Sequence, residues 1–251
     1  MDGSVSEPLS SYSETVDVVG VPWDMFVEWL ADNWMPGQHM AIVMPTGEGK
    51  TTFAVNILRT RKWVLALDPK GMDETLEASG FRRITKLPLP RDIRNDISEG
   101  RPARLIIGGS TRTREEHKAL RLLMADAIEM VRGQGGWTVY ADEFQILADR
   151  RMFNLGTEIE LLLIAARSNR TSVVTAFQAS AWVPKASTRQ ARIAVLGPTR
   201  DRAMIRNVAQ AMGRNPYDLW VVVDQLPPFH LLVIPRNVRA PLIIVKAPYV
   251  G

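Results

Sequence analysis

The chain has no cysteine among its 251 residues, which excludes a disulfide framework, a thiolate metal site and a cysteine nucleophile. Histidine is nearly as scarce. His39, His117 and His230 lie far apart, so no multi-histidine metal site is expected, and each imidazole is read as solvated or held by a local hydrogen bond. No apolar run approaches the ~18–20 residues that a membrane span needs. The N-terminus lacks a basic segment followed by an apolar one, so no secretory signal is read there. These absences point to a soluble, cytoplasmic protein with no membrane segment of its own. Lys and Arg are also missing from the first twenty residues, which carry Asp2, Glu7, Glu14, Asp17 and five serines. With neither strand nor helix period, 1–20 is read as a flexible acidic tail, leaving 21–251 as a single domain.

What is present is an ordinary globular composition, 46% hydrophobic and 23% charged, enough to bury a core without staples. The formal charge is +4 overall; beyond residue 20 there are 31 basic against 23 acidic residues, or +8. A basic body is compatible with binding a phosphate backbone, although the balance alone carries little weight.

Apolar runs alternate with helical periods. Pro22 opens a helix whose Trp23, Phe26, Val27, Leu30 and Trp34 share one face. That stripe is read as packing on the main sheet, with a subunit contact or an adenine-stacking wall as the alternatives. Strands are expected over 41–44, 63–67, 104–107, 137–141, 171–176, 193–196, 219–223, 230–234 and 242–246. Helices are expected over 51–59, 120–131 (closed by Gly133, Gly135 and Gly136), 157–167 and 201–212. Residues 81–101, rich in Pro, Arg and Lys, read as a loop-rich excursion. The alternation predicts an α/β fold, a mostly parallel sheet with helices on both faces. Its last two strands should form a C-terminal antiparallel edge hairpin.

Three segments carry chemistry. Met44-Pro45-Thr46-Gly47-Glu48-Gly49-Lys50-Thr51-Thr52 resembles the phosphate-binding loop G-x-x-x-x-G-K-[ST], with Met44 in place of the first glycine. Small residues let successive backbone N–H groups curl around phosphate oxygens, and the following helix presents its positive end. Residues 45–52 are therefore the expected ATP-binding loop, with Lys50 on the β- and γ-phosphates and the Thr51 hydroxyl on Mg²⁺. The strand Trp137-Thr138-Val139-Tyr140-Ala141 ends in Asp142-Glu143, a pattern like the Walker B motif. In that role Asp142 holds Mg²⁺ and Glu143 activates the attacking water. Ser172–Phe177 then ends at Gln178, which matches a sensor strand lying between the two Walker strands. Gln178 is expected on the γ-phosphate or the lytic water. Asp68 and Lys70, just past the second strand, either support Glu143 or pair with each other.

Together with Leu67-Asp68-Pro69-Lys70-Gly71, Ala166–Gln178 and Leu226–Val233, these segments resemble the HerA/FtsK superfamily of P-loop ATPases over roughly 38–235. The short length resembles its viral genome-packaging members. One departure is that Arg170 or Thr171 stands where the family commonly has a glycine before the sensor strand. The resemblance implies a RecA-like P-loop NTPase core that uses ATP and Mg²⁺. It also implies a homo-oligomeric ring, pentamer or hexamer, acting on double-stranded DNA with capsid portal or vertex proteins as partners. An arginine finger from Arg170 or Arg167 acting on the neighbouring subunit's nucleotide is part of the same implication. The alternatives are a DNA-transfer or coupling ATPase of a mobile element or secretion system, and a nucleotide-dependent assembly factor.

Overall fold

A computed structural model describes residues 16–71, 73–178 and 185–248, excluding the side chains of 166, 167 and 185. In chain order the elements are β1 (Val18–Gly20), α1 (Trp23–Asn33), β2 (His39–Val43), α2 (Lys50–Leu58), β3 (Trp63–Asp68), α3 (Glu74–Ala78) and β4 (Arg82–Arg83). There follow α4 (Arg91–Ser98), β5 (Ala103–Gly108), α5 (Arg114–Gln134), β6 (Thr138–Ala141), α6 (Phe144–Ala148), α7 (Gly156–Asn169) and β7 (Ser172–Phe177). The chain closes with α8 (Lys185–Gln190), β8 (Ala191–Leu196), α9 (Arg202–Met212), α10 (Pro216–Asp224), β9 (His230–Pro235) and β10 (Leu242–Lys246).

The described strands form one ten-stranded sheet in the order β1-β10-β9-β8-β2-β7-β6-β3-β5-β4. Every pairing from β8 to β4 is parallel, while β9 runs antiparallel to both β8 and β10. This is the mixed, mostly parallel sheet expected of the P-loop fold. The sensor strand β7 does lie between β2 and β6.

Central strands buried on both faces alternate their side chains between two cores. Ala41 and Val43 face the larger one, under α4, α5, α6, α7, α9 and α10. Met40 and Ile42 face the other, under α1, α2 and α3. The aromatic stripe of α1 belongs to this second core. Phe26, Leu30 and Trp34 are buried, and Trp23 meets Phe53 of α2 edge-on at 6.0 Å. Sheet packing was the correct choice among its three readings.

The structure corrects three expectations. Residues 219–223 are helical, inside α10. Asn215 caps that helix through Tyr217 N–H and Pro216 occupies its first turn, a strong start signal. Leu219, Val222 and Val223 are buried at i, i+3 and i+4, so the β-branched run follows a helical period. The excursion over 81–101 contains β4 and α4, the latter opening after Pro90 and burying Ile93. Finally, Val18–Gly20 pair in parallel with Leu242–Ile244. The stretch assigned to the tail thus ends in a strand, which adds β1 beside the antiparallel hairpin β9-β10 expected at that side of the sheet; 1–15 lie outside the described residues.

Candidate nucleotide site

In an open parallel sheet, ligands bind beyond the C-terminal ends of the strands. Here the loops after β2, β3, β6 and β7 converge on that edge around a cavity of about 570 Å³. The first loop needs its glycines. Gly47 has φ +87° and Gly49 has φ +82°, the left-handed region that favours residues without a Cβ. Gly49 immediately precedes Lys50, the first residue of α2, so the loop's N–H groups and the helix N-terminus face the same space. Met44, the departure at the loop's first position, is fully buried. Gly197 at the end of β8 makes room for it, since a Cβ there would come within 2.6 Å of Met44 Cβ. Pro45, Thr46, Gly47, Gly49, Lys50, Thr51 and Thr52 line the cavity; Glu48 is not among its lining residues.

Asp142 and Glu143 follow β6 directly. Alternation along a strand would send them to opposite faces, but Glu143 has φ 45° and ψ 52°. That left-handed conformation is uncommon for a residue with a Cβ and costs on the order of 1–3 kcal/mol where the surrounding fold enforces it. It lets both carboxylates line the cavity. Lys50 Nζ lies 2.9 Å from Glu143 Oε1 and 3.7 Å from Asp142 Oδ1. Gln178 Nε2 donates to Glu143 Oε1 at 2.7 Å, and Gln145 Nε2 donates to Oε2. Lys70 Nζ also donates to Glu143 Oε1, at 2.9 Å. Of the two roles open to Lys70, support of Glu143 is the one found.

Asp68 has a different task. Its buried carboxylate accepts from the backbone N–H groups of Lys70 (3.1 Å), Gly71 (2.9 Å) and Asp73 (3.1 Å). The turn also requires Gly71, at φ +70°, because a Cβ there would lie 2.2 Å from Gly109 O.

Burial pushes the Glu143 carboxyl up, but hydrogen bonds from Lys50 and Lys70, the Lys50 charge and the Gln178 amide outweigh it and bring the pKa to about 2. Asp142 moves the other way. Its burial raises the pKa, helped by Glu143 and Asp68, against the Lys50 charge and the Tyr140 O–H bond to Oδ1 at 2.9 Å. Asp73, also raised by burial, lines the cavity beside Glu74 and Thr75. The sequence reading missed these three because it did not foresee α3. The available signal was Asp73 itself, an N-cap whose side chain accepts from Leu76 N–H.

Among the described residues no group of three or more His, Asp or Glu could hold a metal. Mg²⁺ at a phosphate site takes one or two protein oxygens and completes its shell with phosphates and water. Thr51 and Asp142 line the cavity and would supply that minimal set; a buried carboxylate with a raised pKa is one that a cation would stabilise.

Arg170 is not at this edge. It ends α7 at φ 57°, exposed, just before the first residue of β7, whereas Gln178 follows the last. The backbone of Arg167 lies within α7 and its side chain is outside the described residues. The structure therefore brings the phosphate loop, Asp142, Glu143 and Gln178 together, and leaves the arginines at the other end of the sheet.

No family model matches the chain, and no curated protein matches it in sequence. Solved structures do match its fold. The genome packaging NTPase B204 of Sulfolobus turreted icosahedral virus 2, in complex with AMPPCP, superposes with a TM-score of 0.60 at 15% identity over 85% of this chain and 99% of that one. VirB4 of Thermoanaerobacter pseudethanolicus gives 0.59 at 9% identity, over 84% and 89%. The cytoplasmic domain of the type VII secretion ATPase EccC of Thermomonospora curvata gives 0.57 at 17%, over 86% of this chain and 26% of that one. The chain thus shares its fold with these ATPases, and the resemblance read from its motifs is matched at the level of the fold.

Proposed function

We propose that this chain hydrolyses ATP to move double-stranded DNA, acting as a homo-oligomeric ring of five or six subunits, with genome packaging as its setting. The observation that carries the reading is the position of Glu143. A single carboxylate stands 2.9 Å from the phosphate-loop lysine and 2.7 Å from the sensor amide, at the mouth of a cavity large enough for a nucleotide. The packaging setting rests on fold likeness to B204, which the chain covers almost end to end.

In the transition state of phosphoryl transfer, charge spreads over the γ-phosphoryl oxygens. Residues 45–52 cradle the phosphates, with Lys50 on the β- and γ-oxygens. Thr51 and Asp142 are the residues that would hold Mg²⁺, whose charge neutralises those oxygens when bound. Glu143 takes the proton of the attacking water, and Gln178 orients that water or the γ-phosphate. Arg170, with Arg167 as the second choice, serves the neighbouring subunit. It is separated from its own Gln178 by the length of β7, about 20 Å at ~3.3 Å per residue.

Two basic clusters are the candidates for DNA, one of Arg82, Arg83, Lys86, Arg91 and Arg94 and one of Lys185, Arg189 and Arg192, and their surroundings differ. Arg82 pairs with Asp92 at 2.5 Å and Arg83 with Glu77 at 2.5 Å, so the loop over 81–101 offers partly neutralised charge. Arg189 and Arg192 line a second cavity together with Arg236, and among the described residues no Asp or Glu lines it. We assign backbone contacts to Arg189 and Arg192; the side chain of Lys185, the third member expected there, lies outside the described residues.

The test is ATP hydrolysis with and without linear double-stranded DNA, together with the mass of the assembly in solution. Stimulation by DNA in a five- or six-subunit species supports the reading. Hydrolysis indifferent to DNA would reduce it to an ATPase, and absence of hydrolysis under both conditions would overturn it. A coupling or secretion role would use the same site, as the fold likeness to VirB4 and EccC allows; association with capsid portal or vertex proteins separates packaging from it.

A further inference from the structure

A general base needs a lone pair free to face water. On Glu143 the crowded oxygen is Oε1. It accepts from Lys50 Nζ, Lys70 Nζ and Gln178 Nε2, more donors than the roughly two acceptor positions of one carboxylate oxygen, while Oε2 accepts from Gln145 Nε2 alone. For water to reach Oε1, at least one of its three donors has to leave.

The four donors are not equally fixed. Lys50 is buried and is already committed to the phosphates by its place in the loop. Gln178 and Gln145 leave β7 and enter α6 beside the carboxylate. Lys70 differs from them. Its side chain is 53% exposed, and its backbone is held by the Asp68 carboxylate, which binds the N–H groups of Lys70, Gly71 and Asp73. A hydrogen-bonded turn thus carries a long cationic side chain that lines the same cavity as the phosphate loop. An ammonium in that position will leave one carboxylate for a terminal phosphate of higher charge, provided that phosphate is the γ.

We propose that Lys70 senses the γ-phosphate: it engages Glu143 in the nucleotide-free chain and transfers its ammonium to the γ-phosphate when ATP enters, freeing Glu143 Oε1 for water. The ammonium keeps its proton throughout, and only hydrogen bonds exchange. ADP carries no γ-phosphate, so with ADP bound Lys70 remains on Glu143. This inference rests on the reading of the site as that of an ATPase.

The experiment measures the affinity of the full chain for ATPγS and for ADP, each with Mg²⁺, in the wild type, Lys70→Ala and Lys70→Arg. Lys70→Ala is expected to weaken ATPγS by about tenfold, the scale of one lost charged hydrogen bond, and to leave ADP within about twofold. Lys70→Arg should recover most of the difference. A purely structural role for Lys70 would weaken both nucleotides together, and that result overturns the proposal. So does a Lys70→Ala chain with wild-type preference for ATPγS; in that case the ATPase reading stands and only Lys70 loses its role. A wild type that binds neither nucleotide overturns the ATPase reading itself.

Discussion

Gln178 donates its side-chain amide to Glu143 Oε1 at 2.7 Å, joining the loop after β7 to the loop after β6. Because β7 is hydrogen-bonded to β2 on one side and β6 on the other, that contact sits between the phosphate loop and the acidic pair. A change in phosphate occupancy at Lys50 is therefore one residue removed from the end of the sensor strand.

Glu143→Gln removes the base and keeps the hydrogen-bonding shape. It is expected to bind Mg²⁺–ATP with near-native affinity and to lose hydrolysis by about 10²–10⁴-fold. Lys50→Ala should weaken nucleotide binding itself, because the proposed function sets its ammonium on the phosphates. Equilibrium binding and steady-state turnover check both variants, and near-normal turnover in Glu143→Gln would remove it from the role of base.

The trans assignment of Arg170 is tested by mixing. Arg170→Ala and Glu143→Gln subunits should each be inactive alone, given that an arginine finger contributes ~10³–10⁵ in rate. Mixed rings contain sites that pair an intact Glu143 with a neighbour's intact Arg170, and these should recover part of the hydrolysis. No recovery in rings shown to assemble counts against action in trans, and full activity of Arg170→Ala alone excludes the residue.

Neutralising Arg189 and Arg192 to Gln together should weaken DNA binding and flatten its dependence on salt, by about 0.9 in log–log slope for each phosphate that is no longer neutralised. Neutralising Arg82 and Arg83 should do less, since their acidic partners already offset them. A titration of affinity against ionic strength separates the clusters; an unchanged slope in the Arg189/Arg192 variant removes that face from the interface.

His39 makes stability depend on pH. Its Nδ1 accepts from Val173 N–H at 3.0 Å, so the ring proton resides on Nε2, which donates to Leu163 O at 3.1 Å. Burial lowers the pKa to about 4, with the bond to Leu163 offsetting part of the effect. Between the unfolded value, ~6.5, and 4 the unfolded chain binds the extra proton. The contribution is therefore complete above pH ~6.5 and falls as pH drops toward 4, by about 3 kcal/mol in all. Denaturant unfolding across that window should show the slope in the wild type. His39→Gln should lose it whatever its absolute stability, and an unchanged slope in that variant would show that other groups set it.

The site's two sequence-local parts were legible because their chemistry is local. Gly47, Gly49, Lys50 and Thr51 are adjacent, and the loop they form depends on backbone freedom and the helix that follows. Asp142-Glu143 at the end of an apolar strand is equally local. Lys70 could only be offered two partners, since whether its ammonium meets Asp68 or Glu143 depends on β3 and β6 being neighbours. The misreading of 219–223 has a comparable origin. A short run of Leu, Trp and Val suits a buried strand or a helix, and the Asn215-Pro216 start signal went unused.

Local sequence was enough to set the alternation of strands and helices, the left-handed glycines of the phosphate loop and the identity of its lysine and acids. Those follow from backbone sterics, side-chain period and ionisation, all of which act within a few residues. Two choices were made by the folded chain alone: that Val18–Gly20 close the sheet edge beside β10, and that Lys50, Lys70 and Gln178 meet on one oxygen of Glu143. Such choices rest on hydrogen-bond pairing and burial summed over elements far apart in the chain, and no short stretch of sequence contains both partners.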